Sequence, residues 1–124
     1  ALKEKSMFGL KLREAYLSGN KEALKDIAQN DTSKLITLIE SLWLANRDIW
    51  FKRHTAFGFE VLERRYGALI MRLKTTKERI EGYLNGKYLK LEELEEERLS
   101  PVCTDSEDIC FFNDWLLTST AWGR

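Results

Sequence analysis

Between Ser33 and Leu84 the sequence carries two apolar stripes at helical spacing, separated by a short break. Leu35, Leu38, Ile39, Leu42, Trp43, Asn46, Ile49 and Trp50 recur at intervals of three and four. So do Leu62, Tyr66, Leu69, Leu73, Thr76, Ile80 and Leu84. Residues at those intervals share one side of a helix, so each run has a side that must leave water. Two long helices joined by a short turn bury those sides against each other as an antiparallel hairpin. The fold class is therefore all-α, a helical bundle built on a long antiparallel helix hairpin.

The segments before and after the hairpin are read from their punctuation. Leu10, Glu14 and Leu17, with Leu12 and Tyr16, make an imperfect helical side that stops at Ser18-Gly19-Asn20. Asn20 suits an N-cap, because its side chain accepts from free amides of the first turn. Glu22 then sits where the helix dipole favours it, and Leu24, Ile27 and Ala28 form a buried edge. Asn30-Asp31-Thr32-Ser33 predicts a second break and a second cap. The first hairpin helix should end near His54 to Ala56, and Asn85-Gly86 supplies the left-handed residue that closes the second. Leu91 to Leu99, with Glu92, Glu93, Glu95, Glu96 and Glu97, reads as a short solvated acidic helix ended by Ser100-Pro101.

The 124 residues suit one domain with one core. Residues 1–100 are the bundle, and residues 101–124 are a tail. Ile109, Cys110, Phe111, Phe112, Trp115, Leu116 and Leu117 put too much apolar mass in that tail for water. It is expected to pack on the bundle or on a domain absent from this chain. Ala1 leads straight into a helical pattern, which reads as a piece cut from a longer polypeptide.

Charge and composition narrow the function. Twenty Lys and Arg against 20 Asp and Glu give a net charge of zero, whereas phosphate neutralisation needs a positive excess. A nucleic-acid surface made of Arg47, Lys52, Arg53, Arg64 and Arg65 is disfavoured on that ground. No apolar run reaches the roughly 18 residues of a membrane span. Cys103 and Cys110 read as reduced thiols of a cytoplasmic protein, the alternative being a local bridge across the loop between them. No glycine-rich phosphate loop is present, and the single histidine, His54, allows neither a paired-histidine metal site nor a triad. No catalytic residue, metal or cofactor is expected, and His54 reads as a capping or surface residue.

The most unusual stretch runs from Ile49 to Gly67, around the hairpin turn. It holds Trp50, Phe57, Phe59 and Tyr66 among Lys52, Arg53, Arg64 and Arg65. The aromatics can staple the hairpin end while arginine stems cover apolar surface. Equally, Trp, Tyr and Arg dominate binding hot spots, so the same residues can form an interface. Gly67 within a helix costs about 1 kcal/mol relative to alanine, which predicts close approach of another backbone there.

Several strings resemble one family. They are Leu12-Arg13-Glu14-Ala15-Tyr16 through Gly19-Asn20-Lys21-Glu22-Ala23-Leu24; Trp50; Phe57-Gly58-Phe59-Glu60-Val61-Leu62; Arg65-Tyr66-Gly67; Arg72-Leu73; and Ile80-Glu81-Gly82-Tyr83-Leu84-Asn85-Gly86. Over roughly residues 8 to 99 the chain resembles the all-helical C-terminal domain of bacterial family 20 glycoside hydrolases, the exo-acting β-N-acetylhexosaminidases. In that family a small α/β domain and a (β/α)8 barrel precede the helical domain. The substrate's acetamido oxygen is the nucleophile, and an adjacent Asp-Glu pair on the barrel orients it and transfers protons, outside the two-carboxylate scheme. The present chain has no Asp-Glu dipeptide, so no catalytic role carries over.

The resemblance implies that residues 1–100 are a non-catalytic C-terminal accessory domain of a larger enzyme, packed against the catalytic barrel of its parent chain and supporting a homodimer contact or the rim of the active-site mouth. Trp50, His54, Phe57, Phe59, Arg64, Arg65, Tyr66 and Gly67 are the expected interface or rim residues. No nucleic acid or membrane is expected among the partners. The alternative is a free-standing helical module that binds another protein; a small helical enzyme lacks a site.

Overall fold

The computed structural model describes residues 2–96 of the chain. The expectations for the tail, for Cys103 and Cys110, and for the end of the acidic segment lie outside the described residues. Five α-helices occur in chain order: α1 (Leu2–Leu17), α2 (Lys21–Asp26), α3 (Thr32–Arg53), α4 (Phe59–Leu84) and α5 (Glu92–Glu95), with a π turn (Ile27–Asp31) between α2 and α3. Helices α3 and α4, of 22 and 26 residues, form the hairpin that the two stripes predict.

Glycine closes two helices where the sequence places it. Gly19 (φ +66°) and Gly86 (φ +76°) adopt left-handed backbone after α1 and α4. In each case the next amide reaches back five residues, Asn20 to the Ala15 carbonyl at 3.0 Å and Lys87 to the Gly82 carbonyl at 2.8 Å. These bonds satisfy carbonyls that a helix end would leave open. Asn20 also serves as the N-cap of α2, its side chain accepting from the Ala23 amide at 3.0 Å.

The predicted break at Asn30 to Ser33 does not occur. Asp31 and Thr32 keep right-handed helical dihedrals, and neither side chain caps a new helix. The chain instead widens by one residue, the Thr32 amide bonding to the Ile27 carbonyl. The Thr32 hydroxyl, fully buried, donates to the same carbonyl at 2.9 Å. Ser33 and Asn30, which look like capping residues in sequence, bond back within the helix, to the Gln29 carbonyl at 2.7 Å and the Asp26 carboxylate at 2.6 Å. Polar side chains that can cap can also bond backward, and burial of Ile27, Ala28 and Thr32 decides between the two.

Buried side chains gather in two clusters. One joins Leu12 and Ala15 of α1 to Leu24, Ile27 and Ala28, to Ile80 of α4, and to Leu91 before α5. The other is the hairpin seam, Leu35 and Ile39 against Leu73, with Tyr66, Leu69 and Ile70 beside it. Burying one Leu or Ile side chain fully is worth about 1.5–3 kcal/mol, so these clusters carry the fold. The inward side of α1 is Phe8, Leu12, Ala15 and Tyr16, while Leu10 and Leu17 face outward. Apolar residues lie on both sides of α1, and contact with α2 and α4 selects the one that is buried.

The acidic segment is partly built in. Leu91 is buried, the Tyr16 hydroxyl donates to Glu95 at 2.6 Å, and it accepts from the Leu91 amide at 3.1 Å. Arg79 grips Glu93 with two parallel N–H donors, one at 2.7 Å. The guanidinium beside it holds the Glu93 carboxyl below its ordinary value of 4.5. Stability from a lowered carboxyl is present above the unfolded pKa and lost as pH falls through the folded one. The urea midpoint should therefore fall less steeply with acidification below about pH 4.5 in Arg79→Gln than in the parent sequence. Parallel curves for the two proteins would show that the pair contributes nothing.

The glycine that brings chain segments together is Gly82. A Cβ there would lie 2.4 Å from the Tyr88 ring, so the chain leaving α4 lies directly on that helix. Arg79 stacks over the same ring from one side.

Candidate functional site

The segment singled out in the sequence forms the closed end of the hairpin. Trp50 stands on the last turn of α3, and its indole N–H donates to the Thr55 carbonyl at 2.8 Å, tying the turn to the helix it leaves. Its ring lies 4.8 Å from His54 and 5.9 Å from Phe59, and Phe51 approaches Phe59 at 5.3 Å. Centroid separations of 4.5–7 Å in tilted arrangements are those aromatic pairs favour. Gly58 (φ +89°) turns the chain into α4, and a Cβ there would sit 3.4 Å from the Trp50 ring. The dihedral is what favours glycine there, since the gap itself would admit a Cβ in ordinary contact with the ring.

The structure separates the eight expected residues by position. Phe59 is 2% exposed and belongs to the interior. Tyr66 is half-buried against the seam cluster, and its hydroxyl accepts from the Asn46 side-chain amide across the hairpin. Trp50 is half-buried as the staple of the turn, and His54 stacks on it with its imidazole exposed. Phe57, by contrast, is 86% exposed, and Arg64 and Arg65 are exposed on the first turns of α4. Stapling and surface display thus fall to different residues of one segment.

Gly67 does not behave as its sequence context predicts. Nothing among the described residues comes within 4 Å of a Cβ built there. With helical dihedrals and open space, Gly67→Ala should raise the stability of this chain by about 0.5–1 kcal/mol, read as a higher urea midpoint. A lower midpoint would place another part of the chain against α4 at that point.

Exposed apolar side chains extend the surface beyond Phe57. Leu42, Leu44, Ile49 and Phe51 of α3 and Met71 of α4 are all exposed. Leu42 and Ile49 were read as buried stripe residues, but the partner helix covers only the side holding Leu35 and Ile39. Leu44, Phe51 and Met71 lie off the stripes, so periodicity gives no sign of them. Arg47 covers Trp43 at 5.2 Å and pairs with Asp48, which leaves the middle of α3 charged between apolar patches.

Chemically the hairpin end offers exposed aromatic, aliphatic and cationic side chains. His54 has an aromatic ring, not a nucleophile or a carboxylate, as its close partner. Among the described residues no group of three or more His, Cys, Asp and Glu is placed to hold a metal ion. Among them, too, no helix is long and apolar enough to cross a membrane. The groups whose titration is clearly displaced, Lys11, Tyr16, Arg79 and Glu93, belong to the interhelical ties described above and to the Lys11–Asp31 pair.

Residues 1–110 match the family described as Glycoside Hydrolase 20C C-terminal domain. No curated protein matches the chain.

Proposed function

The chain belongs to the Glycoside Hydrolase 20C C-terminal domain family, a non-catalytic helical domain of a family 20 enzyme, and from that membership we propose that its hairpin end docks onto the catalytic barrel of the parent chain. The observation that carries this reading is the exposure of Phe57, at 86%, in the turn that leads into α4, on which Arg64 and Arg65 are also exposed. Exposed aromatic and arginine side chains within one short segment have the composition of an interface hot spot. Ile49 and Phe51 add exposed apolar side chains near the end of α3. Gly67, with open space above it, lets a facing backbone approach α4 closely.

In this reading the parent is a cytoplasmic exo-β-N-acetylhexosaminidase that removes terminal N-acetylglucosamine or N-acetylgalactosamine, with all reacting groups on the barrel. The domain contributes by covering barrel surface and by supporting either the rim of the active-site mouth or a dimer contact. Hot-spot truncations typically cost 2 kcal/mol or more of binding. Phe57→Ala combined with Arg64→Glu should therefore lower the melting temperature and the chromogenic β-N-acetylglucosaminide turnover of the complete enzyme, while this chain alone keeps its own stability. A complete enzyme indifferent to both substitutions would overturn the docking role and favour a separate protein as the partner.

A further inference from the structure

Away from the hairpin end the bundle carries an open apolar groove of about 650 Å³. Its lining includes Phe8 and Leu12 of α1, Leu69, Leu73 and Ile80 of α4, and Leu91. Lys5, Arg72 and Arg79 line it too, Arg79 being paired there with Glu93. We propose that this groove is the seat of the chain's own C-terminal segment, residues 109–117, and that the domain is completed by it.

Five observations converge on that occupant. The described chain ends at the groove, since Glu93 and Leu94 of α5 line it and Glu96 follows immediately. Twenty-eight residues remain beyond Glu96, and at about 3.3 Å per residue the 13 from Glu96 to Ile109 can span roughly 40 Å, ample to return along α1 and α4. The segment Ile109, Cys110, Phe111, Phe112, Trp115, Leu116 and Leu117 has the side chains an apolar lining requires.

The remaining two observations are charge and extent. Residues 1–96 hold 18 Lys and Arg against 15 Asp and Glu, a charge of +3, and residues 97–124 hold 2 against 5, a charge of −3. Asp105, Glu107, Asp108 and Asp114 flank the apolar residues, with no Lys or Arg between Pro101 and Leu117. The acidic segment thus complements Lys5 and Arg72, the lining cations other than the Glu93-paired Arg79. Finally, the family match continues past α5 to Cys110, so the domain shared by the family includes the start of this segment. None of this depends on what the hairpin end contacts.

Cys110 gives a direct test in the full 124-residue chain. With Cys103→Ser, Cys110 is labelled with a benzophenone maleimide, photolysed, and the cross-linked peptides are located by mass spectrometry. Cross-links within one molecule to peptides spanning Phe8–Leu12 and Leu69–Ile80 are the expected result. Phe111→Glu with Phe112→Glu should abolish them and raise the fluorescence of an added apolar dye several-fold at unchanged far-UV circular dichroism. Arg72→Glu, an exposed lining change that leaves the core intact, should cut the cross-link yield, and Asp108→Lys in the same chain should restore it. Cross-links to the hairpin end, cross-links that double the mass, or yields indifferent to these substitutions would each overturn the assignment.

Discussion

Phe59→Ala should lower the stability of the domain by about 3 kcal/mol, whereas Phe57→Ala, two residues away, should change it by less than about 0.5 kcal/mol. Phe59 is 2% exposed, against 86% for Phe57, and its ring meets both Phe51 and Trp50. Truncating a buried Phe removes its transfer free energy and leaves a cavity, costing about 3–5 kcal/mol. The lower end applies because Phe51 is exposed and Trp50 half-buried, so the end of the hairpin can partly collapse into the space. In a chain of this length each kcal/mol moves the melting temperature by roughly 4 °C, so Phe59→Ala should melt about 12 °C lower. Equal melting temperatures for the two variants would mean that the turn is not stapled as described.

Ile80→Ala is the second large effect, about 3–4 kcal/mol, with Ile80→Val costing about 1 kcal/mol. Ile80 is 1% exposed, and its cluster takes residues from α1, α2, the π turn and the segment before α5. Those neighbours are themselves packed, which places the cost in the middle of the usual range of about 2–5 kcal/mol. Domains of this kind are stable by about 5–15 kcal/mol in total, so the variant should show a sharply lower urea midpoint at unchanged slope. A changed slope would signal that α1 detaches before the hairpin unfolds.

The hairpin was legible because its signals agree. Leu35, Ile39, Leu73 and Ile80 follow helical spacing, Asn20 caps, and Gly86 ends α4. Periodicity marks which side of a helix is apolar, but not how wide a strip of it a partner covers, so Leu42 and Ile49 read as buried and are exposed. The Asn30–Ser33 break failed for a similar reason. Asn, Asp, Thr and Ser bond the backbone in caps and in continuous helices alike, and only the burial of Ile27 and Thr32 distinguishes them. At the candidate site the aromatic content was plain, yet Phe57 and Phe59 are equivalent in sequence until Gly58 turns the chain between them. Helical glycines are likewise ambiguous: Gly67 has open space where close packing was expected, and Gly82 has the Tyr88 ring. The tie between Arg79 and Glu93 spans 14 positions, and nothing in a local pattern announces it.

The π turn gives the molecule room for a residue that the packing does not count. Each α-helical residue advances the side chains by about 100°, and a π turn holds one residue more than the α turn it replaces. Ile27–Asp31 therefore absorbs one residue while keeping the phase between Leu24, packed with α1 and α4, and Leu35 with Ile39, packed in the hairpin seam. Removing one residue from Gln29-Asn30 would leave a regular α turn with Leu35 and Ile39 still facing Leu73, whereas the same deletion inside α3 would swing every later side chain by about 100°. A relative one residue shorter at this point can keep the same hairpin packing through an ordinary α turn.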